Sequence, residues 1–160
     1  MNFSENSRVW IYQADRNLAP EELTAVQERL SDFTATWEAH GKVLKASAEI
    51  KYTRFIIFIV DETQASVTGC SIDKSVVVLK TIEQEFNLSL FDRMQIAYRD
   101  EHGIQVCSKM AFETLIAKGL ITEDTVVFNN LAQTYGALQT AWEIPAKQSW
   151  HNQLFTKSLS

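Results

Sequence analysis

The stretch RFIIFIVD, Arg54 to Asp61, decides how the chain is read. Six apolar residues, Phe55 to Val60, run without a polar interruption and stop at an acid. A strand with one wet face alternates apolar and polar residues, whereas a strand covered on both faces is apolar throughout. Six residues are far too few to cross a bilayer. The run is therefore predicted to be the central strand of a soluble fold.

The segment before it, ASAEIKYT (Ala46 to Thr53), does alternate. Ala46, Ala48, Ile50 and Tyr52 share one face; Ser47, Glu49, Lys51 and Thr53 share the other. That is a half-exposed edge strand. RVWIY (Arg8 to Tyr12) is dense in β-formers and reads as a first strand. Between them APEEL starts a helix, with Pro20 at the first position and Glu21 and Glu22 answering the dipole. Leu23, Val26, Leu30, Phe33 and Trp37 form its apolar stripe, and His40 and Gly41 are expected to close it. Downstream, ASVTGCSIDKSV (Ala65 to Val76) leads into a second helix, with Thr68 or Ser71 as cap. Its stripe is Ile72, Val76, Leu79, Ile82 and Phe86. MQIAYR (Met94 to Arg99) reads as a fourth strand.

Strand, helix, strand, strand, helix, strand is the α+β, ferredoxin-like split-βαβ order, assigned to residues 1–100. Residues 101–160 are expected as a C-terminal α/β extension packed on that core. DEHG turns the chain into a short strand, IQVC. A helix, KMAFETLIAK, is capped by Ser108 and ended by Gly119. A strand, TVVFN, and an aromatic strap with a short helix near Ser149 to Phe155 complete it.

The chain has 160 residues, which suits one domain with an appendage. Five Gly and two Pro argue against long disordered linkers. The net charge of −5 does not favour nucleic acid or an anionic membrane as partner. RNA-recognition domains share the expected topology and stack bases on central-strand aromatics, here Trp10, Tyr12, Phe55 and Phe58. The acidity favours core packing for these rings. Two distant cysteines do not make a disulfide framework. MNFSENSRVW lacks a signal-peptide core, so a reduced cytoplasmic protein is expected. A homodimer is left open.

Cys70 is the chief chemical candidate, because a thiol at a helix N-terminus can be activated as a nucleophile. Asp61, Glu62 and Asp73 are the acids near it in sequence. Three acids would raise a thiol's pKa, and no histidine is close in sequence, so a structural Cys70 is the expectation. His40 and His151 are the histidines that folding can bring to it. The same carboxylates could hold a hard cation if the loop folds back, although such acids are more often solvated or capping. His40, His102 and His151 have no metal-ligand spacing, and neither metal nor cofactor is expected. EIK (Glu49 to Lys51) lacks the preceding Asp of nucleases, and SIDK lacks the supporting penicillin-binding motifs. In WEIPAKQSWH, Trp142, Trp150 and His151 can form an aromatic ledge for a ligand or partner. Anchoring of the tail by the two indoles is the plainer reading.

Features spread over most of the chain, RFIIFIVDETQASVTGCSID, LFDRM, VVFNNL and WEIPAKQSWH, resemble a family of small uncharacterised bacterial proteins sometimes labelled "ABC transporter ATPase". The phosphate loop G-x-x-x-x-G-K-[ST] that this label requires is absent. The only Gly-Lys pair, Gly41-Lys42, is followed by Val43. FETLIAKGLITEDTVVF (Phe112 to Phe128) resembles the helix–Gly–strand segment of bacterial GYF-like domains. That resemblance implies binding of proline-rich peptides on aromatic residues, although no Gly-Pro-aromatic stretch precedes this helix. The expected function is a non-catalytic protein- or small-ligand-binding module. The alternative is an enzyme with its site at the 61–73 loop, using Cys70 as nucleophile or Asp61, Glu62 and Asp73 as acid, base or metal carboxylates.

Overall fold

The RFIIFIVD stretch becomes the middle strand of a three-stranded antiparallel sheet. A computed structural model describes residues 2–159, with side chains through Thr156. The chain divides into two compact units. The first comprises the chain up to Phe91 together with Ala132–Leu138. The second comprises Asp92–Leu131 and the chain from Gln139 onward. The architecture is α+β with antiparallel sheets. Among the described residues no helix is long and apolar enough to cross a membrane.

The first unit contains β1 (Arg8–Gln13), α1 (Pro20–Thr36), β2 (Glu38–Ala39), β3 (Lys42–Val43), β4 (Lys45–Lys51), β5 (Phe55–Asp61) and α2 (Gly69–Phe86). The sheet order is β1-β5-β4. All seven residues of β5 are buried, so the strand is covered on both faces. Ile56, Phe58 and Val60 join Tyr12, Ala46 and Ala48 in a core shared with Val26 and Leu30 of α1 and Leu79 and Ile82 of α2. Phe58 sits at its centre, with ring centroids 6.2 Å from Tyr12, 6.0 Å from Phe33 and 5.6 Å from Trp37.

Two expectations about the helices are corrected. Helix α1 ends at Thr36, and Trp37 leaves it with extended backbone. His40 (φ 52°) and Gly41 (φ 77°) are instead the two turn residues of the β2–β3 hairpin, whose register is Ala39↔Lys42. A two-residue hairpin favours positive φ at both turn positions, so the expected helix-ending glycine closes a hairpin. On α2 the buried face begins at Ser71 and Ser75, not at Ile72 and Val76. The Trp37 indole N–H donates to the Ser71 carbonyl at 2.8 Å, and small residues let that ring approach the helix.

The four-stranded ferredoxin-like sheet does not form. The ferredoxin-like order requires β6 (Gln95–Asp100) beside β1. The strand instead pairs with β7 (Gly103–Ser108) through a tight turn at Glu101 and His102. Closing so short a loop costs little entropy compared with returning across the domain. The free edge of β1 is met by a segment much later in the chain: the Val9 N–H donates to the Gln133 carbonyl at 3.0 Å, and the Tyr135 N–H to the Ser7 carbonyl at 2.8 Å.

After β7 the chain continues as α3 (Lys109–Ala117), β8 (Val126–Phe128), α4 (Tyr135–Thr140), β9 (Glu143–Pro145), a 3₁₀ turn at Ala146–Gln148 and α5 (Asn152–Leu159). The second sheet has the order β7-β6-β8-β9. The division between units therefore falls after Phe91, not at residue 100. The aromatic strap expected on the first domain is largely built into the second: Ile144 pairs with Val127 in the sheet. Ala146, Leu154 and Phe155 share a core with Ile96, Phe112, Ile116, Ile121 and Val127. The reason is that Glu143–Pro145 finds a free strand edge on β8.

Candidate functional site

The acids of the 61–73 loop shape the loop. Asp61 is buried, and its Oδ1 accepts from the Thr63 N–H at 2.9 Å and the Thr63 hydroxyl at 2.7 Å. These bonds, with Lys45 Nζ 3.5 Å from Oδ2, hold the carboxyl below its ordinary pKa. Glu62 Oε2 accepts from the Val67 N–H at 2.9 Å. Both acids are thus occupied as acceptors for backbone donors just downstream. Asp73 lies elsewhere, on a groove of about 500 Å³ with Phe33, Trp37, Lys74, Val77 and Val78.

Thr68 caps α2. Its hydroxyl accepts from the Ser71 N–H at 3.1 Å, while the Ser71 hydroxyl accepts from the Thr68 N–H at 2.7 Å. This reciprocal pair satisfies two otherwise orphaned donors. Cys70 is the second residue of the helix and is exposed, not packed. It lines a cavity of about 330 Å³ with Glu38, His40, Gly41 and Lys74. The hairpin at His40 and Gly41 therefore brings a histidine toward Cys70, as sequence distance alone did not suggest. Asp61, Glu62 and Asp73 are not among the residues lining this cavity. Among the described residues no hydrogen bond joins His40 to Cys70 or to Glu38, so a nucleophile–base pair is not assembled. No group of three or more His, Cys, Asp or Glu among the described residues can hold a metal ion.

The three C-terminal candidates separate by role. Trp142 is buried, its indole N–H donating to Asn130 Oδ1 at 2.9 Å and its ring 5.2 Å from Phe128. His151 is 1% exposed and sits among Phe112, Trp150 and Ser149. Its Nδ1 is 2.7 Å from the Ser149 hydroxyl. Burial pushes the imidazole down to about 4, so it is neutral at pH 7. The Trp150 ring stacks on His151 with centroids 3.9 Å apart and planes 24° apart. That stack holds Trp150 as one wall of a cavity of about 290 Å³, with Met94 just before β6, Ile96 within it, Lys109 from α3, and Gln153 and Leu154 from α5. Arg93 completes the lining.

Compared with family models, curated proteins and solved structures, the chain matches none. The segment resembling GYF-like domains forms α3, a turn with Gly119 at φ 75°, and β8. Of the residues around Trp150, sequence reasoning singled out only Trp150 and the His151 beneath it. Arg93, Met94 and Lys109 escaped because their proximity to Trp150 spans more than forty residues. One local signal was legible: Lys109 opens a helix at a position that favours an acid.

Proposed function

We propose that the chain is a non-catalytic small-ligand-binding module whose site is the cavity beside Trp150. The observation that carries this reading is the combination found there: apolar surface from Met94, Ile96, Trp150 and Leu154 together with a few polar groups. Small-molecule sites have that composition, and about 290 Å³ is close to the lower bound of their size range, about 300 Å³. The two free thiols suit a reducing compartment, which supports a cytoplasmic protein.

The test is a small-molecule fragment screen read by NMR with ¹³C-methyl methionine and ¹⁵N-indole labels. Met94 and Trp150 report the cavity, and Trp37 reports the first unit. Binders should move Met94 and Trp150 and lose their effect in Trp150→Ala. Binders that move only Trp37 would reject this site. The enzyme reading has one observation in its favour, the shared cavity of Cys70, His40 and Glu38. Turnover of any substrate abolished by Cys70→Ser would establish it instead.

A further inference from the structure

Resting on that reading, we infer that the cavity beside Trp150 takes a small amphipathic anion, a carboxylate bearing an acyl or aryl body. Two cations line it, Arg93 and Lys109. Arg93 has no carboxylate within ion-pair distance among the described residues. The neighbouring Asp92 carboxylate accepts from the Met94 N–H at 3.0 Å and shapes the turn. Lys109 reaches Glu113 only at 3.9 Å, with the basic residue on the N-terminal side, the weaker order for such a pair.

Lys109 is also misplaced by helix grammar. It is the first residue of α3, whose first turn carries no acid. A cation there faces the positive end of the dipole, which disfavours it. Departures from local grammar are expected at functional or strained sites. An anion bound between Arg93 and Lys109 answers both cations and the helix end together. Guanidinium recognises a carboxylate through paired N–H donors, and ammonium adds a point charge.

The remaining lining sets the body of the ligand. Met94, Ile96, Trp150 and Leu154 offer apolar surface without further charge. Met94 is 68% exposed, and Met110, adjoining Lys109 in sequence, is 79% exposed. Flexible thioethers adapt to varied apolar shapes.

The probes are octanoate and octanamide, which share a chain and differ in charge. Titrations of the full chain follow the Met94 methyl and the Trp150 indole at low and high salt. Octanoate should move both signals, bind at least about tenfold more tightly than octanamide, and weaken as salt rises. Arg93→Gln and Lys109→Gln should each weaken octanoate by about tenfold and leave octanamide unchanged. Equal affinities for the two probes, with both moving Met94 and Trp150, would overturn the anion class and leave the cavity reading standing. If neither probe moves Met94 or Trp150, the cavity reading fails and takes the inference with it.

Discussion

Acid should loosen the second unit through a single side chain, His151. In the unfolded chain an imidazole takes up a proton as pH falls through about 6.5. In the fold, burial among Phe112, Trp150 and Ser149 delays that proton until about 4. Between those values the unfolded chain holds one more proton than the native one, so stability rises with pH across the window. The contribution is fully present above about 6.5 and is lost as pH falls toward 4. Each pH unit of separation is worth 1.36 kcal/mol, so the full window amounts to roughly 3 kcal/mol and the part between pH 6.5 and 5 to about 2 kcal/mol. Against a typical total of about 5–15 kcal/mol, that is a large share.

The assay is urea unfolding from pH 7 to pH 5, read at the Trp150 indole, for the native chain and His151→Gln. Stopping at pH 5 leaves the carboxylates essentially ionised. His40 and His102 are common to both proteins and cancel in the difference. The native chain should lose about 2 kcal/mol more than the variant over this range. A difference that stays flat within about 0.5 kcal/mol would refute the reasoning, whatever the absolute stability of the variant.

Phe58→Ala should cost about 3–5 kcal/mol in urea unfolding of the first unit, because the ring contacts Tyr12, Phe33 and Trp37 at the sheet centre. Glu49→Ala, exposed on edge strand β4, should cost under about 0.5 kcal/mol, and equal costs would contradict the β1-β5-β4 order. Thr68→Ala should cost about 1 kcal/mol by removing the cap of α2, and an unchanged midpoint would show that the Ser71 side chain suffices. Cys70, exposed, should alkylate at pH 7 at about the rate of glutathione. Cys107, whose thiol burial pushes up, should react more slowly. A Cys70 rate about a hundredfold above glutathione would instead support the enzyme reading.

Local pattern determined several elements of the fold. Phe55–Val60 could only be a strand covered on both faces, because no polar position was left to meet water. The alternation in Ala46–Lys51 placed an edge strand beside it. The hydroxyl grammar of Thr68 and Ser71 started α2, and Ser108 started α3. These features depend on neighbours within four residues, and a sequence displays such neighbours directly. Tertiary structure alone decided the partner of β6. The same β6 pattern suits an edge of β1 or a hairpin with β7, and the nearby partner at the turn was favoured by its short loop. It alone moved His40 from a helix end to a hairpin turn, and it alone brought Arg93, Lys109 and Trp150 to one cavity. Such sites are set by contacts between distant segments, and periodicity within a segment carries no information about which other segment it will meet.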